Sequence, residues 1–138
     1  MSNTNESRPS PALTPENAFF WMSGAEGVLK FLQCADCQHV VHPPQPLCPR
    51  CLSQHLAPQV FSGRANLATY TINHHQWHPA FAPPYALGIV EIVEAPYVRL
   101  TTRLVNCDTE RLRMGMPLRV VFESVGDAWL PLFEPEEG

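Results

Sequence analysis

Cys34-Ala35-Asp36-Cys37, followed ten residues later by Cys48-Pro49-Arg50-Cys51, is the stretch on which the reading of this chain turns. A Cys-x-x-Cys turn sets two sulfurs on one side and aims neighbouring N–H groups at them. Two such turns supply the four tetrahedral ligands of a zinc ion. The competing reading is a pair of redox dithiols. That chemistry uses one Cys-x-x-Cys in a βαβ setting, which is absent here. Four thiolates close the shell and leave no position for water or substrate, so the metal is expected to fold the loop rather than to catalyse. Cys107, the fifth cysteine, lies between Asn106 and Asp108 and reads as a loop thiol.

Working outward, the Pro-rich segment around the cysteines has little room for regular structure, and Val28 to Gln33 is a short β-like run leading into it. Residues 28–56 are therefore read as a zinc ribbon. On its N-terminal side, Thr14-Pro15-Glu16 combines a hydroxyl N-cap, a proline at the first helical position and a carboxylate near the positive end of the dipole. This predicts a helix over 14–27, ending near Gly24 or Gly27. Its interior, Ala18 to Met22, is apolar almost all round, which in so short a helix calls for two covered faces. Residues 1–13 carry too little apolar surface to order themselves and are read as a tail.

On the C-terminal side, residues 57–138 break into strand-like runs: 59–61, 67–72, 85–93, 97–105, 118–123 and 129–133. Val98, Leu100, Thr102 and Leu104 alternate with Arg99, Thr101 and Arg103, the period of a half-buried strand. Tyr85 to Val93 is more continuously apolar. About five strands in this span suit a small closed barrel of the OB-fold kind. The fold class predicted is thus mainly β: an N-terminal helix, a four-cysteine zinc ribbon and a five-stranded OB-fold barrel.

With 45% hydrophobic and 16% charged residues, the 138-residue chain is apolar enough to fold and low in charge, which suits a surface partly covered by a partner. The net charge is −4, and its nine basic residues form no run or stripe. That opposes nonspecific nucleic-acid binding. No apolar stretch approaches the roughly 20 residues that span a bilayer, and no signal-peptide pattern opens the chain, so a cytoplasmic location is expected. His74, His75 and His78 could hold a second metal, but their loop contains no carboxylate and reads rather as an aromatic loop facing a partner or ligand. Glu91 and Glu94 are conceivable as acid and base, yet each sits at a strand end, where a solvated carboxylate is ordinary. No phosphate loop, Gly-x-Ser-x-Gly motif or other catalytic constellation is found.

The order of parts, with the phrases Phe20-Trp21, Gly27-Val28-Leu29, Pro43-Pro44, Cys48-Pro49-x-Cys51, Ser62-Gly63-Arg64, Gly115-Met116-Pro117 and Leu130-Pro131-x-Phe133, resembles the zinc-ribbon and OB-fold acyl-CoA-associated family. The resemblance covers residues 15–133. It implies a non-catalytic subunit that associates with a thiolase-like or hydratase-like enzyme acting on acyl-CoA thioesters, in steroid, aromatic or lipid breakdown. It also gives the aromatic residues a purpose: Phe20, Trp21, Trp77, Phe81 and Tyr85 become interface candidates. Should coenzyme A be met directly, Lys30, Arg50, Arg64, Arg99 and Arg103 are candidates for its phosphates. Gln38 and Leu52 stand where the family pattern often has glycine, which predicts strained knuckle turns. The alternative function is a single-stranded nucleic-acid-binding module, since ribbons and OB-folds both serve that role, and the charge distribution argues against it.

Overall fold

The computed structural model of the protein describes residues 11–75 and 84–136. The run before the first cysteine forms β1 (Leu29–Cys34), with Leu29 and Phe31 fully buried. It is flanked by β2 (Val40–Val41) and β3 (Leu56–Phe61), both antiparallel, in the order β2-β1-β3. The expected strand at 59–61 therefore belongs to the ribbon and not to the barrel. Its partner residues lie 22 to 32 positions upstream, and the turn at Ser62-Gly63 lies between the two sheets.

β4 (Arg64–Asn73), β5 (Tyr85–Ile92), β6 (Ala95–Leu104), β7 (Pro117–Val125) and β8 (Ala128–Pro135) close into a barrel in the order β4-β5-β6-β8-β7. The alternation read in β6 is realised: Val98, Leu100, Thr102 and Leu104 are buried, while Arg99 and Thr101 are exposed. β5 buries Ala86, Gly88, Val90 and Ile92 inside the barrel. Its other face, Tyr85, Leu87 and Ile89, is half-buried, which accounts for the continuous apolar run.

The N-terminal helix is shorter than the capping signal implies. Thr14 and Asn17 exchange backbone-to-side-chain hydrogen bonds of 2.8 and 3.2 Å around a turn, and α1 runs only from Ala18 to Met22. Proline at 15 suits that turn as well as a first helical turn, so the same residues cap one turn earlier. α1 passes into a 3-10 turn, Ser23–Glu26, closed by Gly27 in the left-handed region at φ 75°. Gly24 lets this turn lie on the barrel: a Cβ there would stand 2.5 Å from Trp129 Cβ and 2.7 Å from the Phe122 ring. Phe20, Leu29, Phe31 and Val40 share one buried cluster with barrel residues such as Leu67, Val90, Leu118 and Phe133. Among the described residues, no helix is long and apolar enough to cross a membrane.

Candidate functional site

The four knuckle cysteines converge. Their sulfurs all lie within 4.8 Å of one another, with Cys34–Cys51 and Cys37–Cys48 at 3.6 Å. Zinc with bonds of about 2.3 Å to a tetrahedron of sulfurs requires sulfur separations of about 3.8 Å, so the donor set fits the metal. The two knuckles repeat one geometry. Gln38 N–H donates to the Cys34 carbonyl and Leu52 N–H to the Cys48 carbonyl, at 2.9 and 2.8 Å. Cys34 N–H donates to the His39 carbonyl and Cys48 N–H to that of Ser53, both at 2.9 Å. Gln38 and Leu52 take φ of 69° and 66°, the strained conformation that the absent glycines foretold.

Burial opposes ionisation of Cys34, but N–H groups of Cys37 and Asp36 and the adjoining sulfurs outweigh it and bring the thiol down to about 6. The Ser53 N–H favours the Cys51 thiolate, yet burial and the other three sulfurs push that thiol up to about 12. A divalent cation resolves such a cluster by neutralising the thiolates together. Behind the sulfurs, the Asp36 carboxylate accepts a hydrogen bond from the Ser53 hydroxyl and lies 3.0 Å from His55 Nδ1. Those two contacts hold Asp36 below the usual carboxylate range and tie one knuckle to the other. Among the described residues, this is the one cluster with metal-ligand geometry. His74 and His75 are exposed, and His78 lies outside the described residues.

A second feature arises where ribbon, helix and barrel meet. A cleft of about 680 Å³ is walled by Phe20 and Trp21 of α1, by His42-Pro43-Pro44, and by Tyr85 and Leu87 of β5. β6 adds residues 99–103 and β8 adds residues 130–132. His42 packs 5.0 Å from both Phe20 and Phe31, ring centre to ring centre, and burial lowers its pKa to about 4. The ribbon is fixed to the barrel beside it by Tyr97, whose ring stacks on His39 at 4.8 Å and whose hydroxyl accepts from Val40 N–H at 2.9 Å.

Of the interface candidates, Phe20, Trp21 and Tyr85 line the cleft, whereas Trp77 and Phe81 lie outside the described residues. Of the basic candidates, Arg99 and Arg103 line it, paired with Glu91 at 2.8 Å and Glu123 at 3.1 Å. The other three are elsewhere: Lys30 faces Glu26 at 3.8 Å, Arg64 faces Glu136 at 2.9 Å, and Arg50 is exposed at the second knuckle. The five therefore do not line one channel: Arg99 and Arg103 face the cleft from β6, while Lys30 lies on β1, Arg64 on β4 and Arg50 in the second knuckle. Glu94 accepts from Ser62 N–H at 2.8 Å, capping the turn between ribbon and barrel. Sequence reasoning missed His42, Leu87 and Leu130 as wall residues. The unbroken apolar run of β5 was the available signal for Leu87.

Residues 21–57 match the family described as "ChsH2, rubredoxin-like zinc ribbon domain", and residues 59–123 match "ChsH2, C-terminal OB-fold domain". The chain belongs to the ChsH2 (DUF35) family. The solved structure named Ltp2-ChsH2(DUF35) aldolase superposes with a TM-score of 0.82 at 33% identity, covering 91% of this chain and 98% of that one. A probable enoyl-CoA hydratase alpha subunit of Thermomonospora curvata is 35% identical over 129 residues, which is 93% of this chain and 40% of the relative. The chain thus spans about two fifths of that subunit's length. A DUF35 domain-containing scaffold protein of Methanothermobacter thermautotrophicus is 30% identical over 95 residues, 67% of this chain and 70% of the relative.

Proposed function

We propose that this ChsH2-family chain is a non-catalytic accessory subunit, folded around a structural zinc ion. It binds and stabilises a thiolase-like enzyme, of the thiolase or aldolase/lyase kind, and helps shape that enzyme's acyl-CoA site in steroid, aromatic or lipid degradation. The observation that carries this reading is the cleft, in which aromatic residues from α1 and β5 and apolar residues from β8 form one concave surface. A concave and mostly apolar surface of this kind suits a ligand or the side chains of a partner. The relatives' names, an Ltp2-ChsH2(DUF35) aldolase, a probable enoyl-CoA hydratase alpha subunit and a scaffold protein, support it. Glu91 and Glu123 are ion-paired with Arg99 and Arg103, an arrangement suited to holding side chains in place rather than to moving protons.

Coenzyme A would enter as a ligand of the assembled complex. Lys30, Arg64, Arg99 and Arg103 each face a carboxylate, which leaves the exposed Arg50 best suited to meet a phosphate. The same pairing weakens the nucleic-acid alternative, since counterion release needs unneutralised cations facing the strand. The test is turnover of a thiolase-like or hydratase-like protein of the same organism on acyl-CoA, with and without this chain. The proposal expects activity, or soluble yield, of the partner to rise at least tenfold when the chain is supplied. An unchanged partner, with turnover by this chain alone, contradicts it.

A further inference from the structure

β6 gives five consecutive residues, Arg99 to Arg103, to the wall of the cleft. Side chains of a strand alternate between its faces, so a wall of consecutive residues is the strand's edge, backbone included. β8 does the same with Leu130, Pro131 and Leu132. The two strands are in register at one position only, Leu104 with Phe133. There Val105 N–H donates to the Phe133 carbonyl at 2.9 Å, and the Thr102 hydroxyl donates to the Pro131 carbonyl at 3.0 Å. Leu104 with Phe133 is the register pair between the two strands, whereas β6 is in continuous register with β5 from Arg99 to Leu104. The closing pair of strands is thus in register only at their C-terminal ends, and the cleft lies along the rest of β6 and β8.

The chemistry of that cleft selects its occupant. An apolar small molecule could fill the volume but would leave peptide groups along β6 without partners, at about 1–3 kcal/mol for each one buried. An extended polypeptide satisfies both demands, pairing its backbone with the strand and placing alternate side chains in the apolar hollow. Pro43, Pro44 and Pro131 on the remaining walls have no N–H, so pairing is available along β6 and not opposite it.

We infer that the cleft receives an extended apolar segment of the catalytic partner. The segment pairs with the β6 edge around Arg99 to Thr101 and buries a side chain against Trp21, Leu87 and Leu130. This rests on the accessory-subunit reading for the identity of the partner. It is tested by amide hydrogen exchange on the chain alone, on the co-purified complex, and on the chain with palmitoyl-CoA. Exchange across residues 99–103 should slow tenfold or more in the complex and stay unchanged with palmitoyl-CoA. Leu87→Arg, at a half-buried outward position of β5, should abolish co-purification while the chain keeps its zinc and its melting temperature. A complex that forms with β6 exchange unaltered overturns the inference and leaves the accessory role standing. Equal slowing by palmitoyl-CoA alone, or slowing that grows with the concentration of the chain by itself, overturns it in favour of a small ligand or a second copy. If no complex forms, the accessory reading fails, and this inference with it.

Discussion

Gln38 and Leu52 hold the same place in the two knuckles, yet the cost of their left-handed backbone is offset differently. Gln38 Nε2 donates to the Ala35 carbonyl at 3.1 Å, and its own carbonyl accepts from Gln33 Nε2 at 2.9 Å. Leu52 is 70% exposed, and no contact of its side chain in the knuckle explains its presence. Leu52→Gly should stabilise the ribbon by about 1 kcal/mol, read as a higher melting temperature, whereas Gln38→Gly should gain less because it gives up the bond to Ala35. His42 behaves as an aromatic wall residue. With its pKa lowered to about 4 by burial, the unfolded chain binds the extra proton between pH 6.5 and 4, so His42 removes stability as pH falls through that window, by at most about 3 kcal/mol. His42→Phe should flatten the difference between two urea titrations at pH 7 and pH 4.5 relative to the unaltered chain. A difference unchanged by the substitution would place the acid sensitivity elsewhere, at the thiolates for instance.

Among the elements, α1 with its 3-10 turn and the β2–β6 seam do most to bring ribbon and barrel together. Gly24→Ala would drive a methyl group into Trp129 Cβ, a rigid neighbour, and should cost about 1–3 kcal/mol of stability by chemical denaturation. Tyr97→Phe keeps the stacked ring but leaves Val40 N–H without its partner. We expect a loss of about 1 kcal/mol, together with faster exchange of the Val40 amide. These contacts also mark the limit of what was legible beforehand. The barrel strands were readable because alternation is local: Val98 to Leu104 and Leu118 to Phe122 announce a buried and a solvated face within a few residues. β3 was not assignable, because whether residues 56–61 pair with β1 or with the barrel depends on a partner far along the chain. The start of α1 was misplaced by one turn because Thr14, Pro15 and Asn17 can cap a turn as readily as a helix.

For the molecule as a whole, the convergence of the four cysteines was legible from their spacing, while the cleft was not, since it is assembled from α1, the His42 turn, β5, β6 and β8. Each contributes a few residues that are unremarked in isolation. Leu29 and Phe31 of the ribbon sit in the same buried cluster as Leu67 and Phe133 of the barrel, so the metal should support more than its own loop. Removal of zinc by a chelator, or Cys48→Ser, should unfold β1 to β3 and also lower the melting temperature of the barrel, measurable by amide exchange strand by strand. In the proposed function, the cleft and the zinc-held ribbon together form a docking surface for a catalytic subunit. Its most direct test is the mass, by light scattering after size exclusion, of this chain co-expressed with a thiolase-like protein of the same organism. A single species containing both chains and about one zinc per copy of this chain is the predicted result, and two separately eluting proteins, each folded and stable, would contradict it.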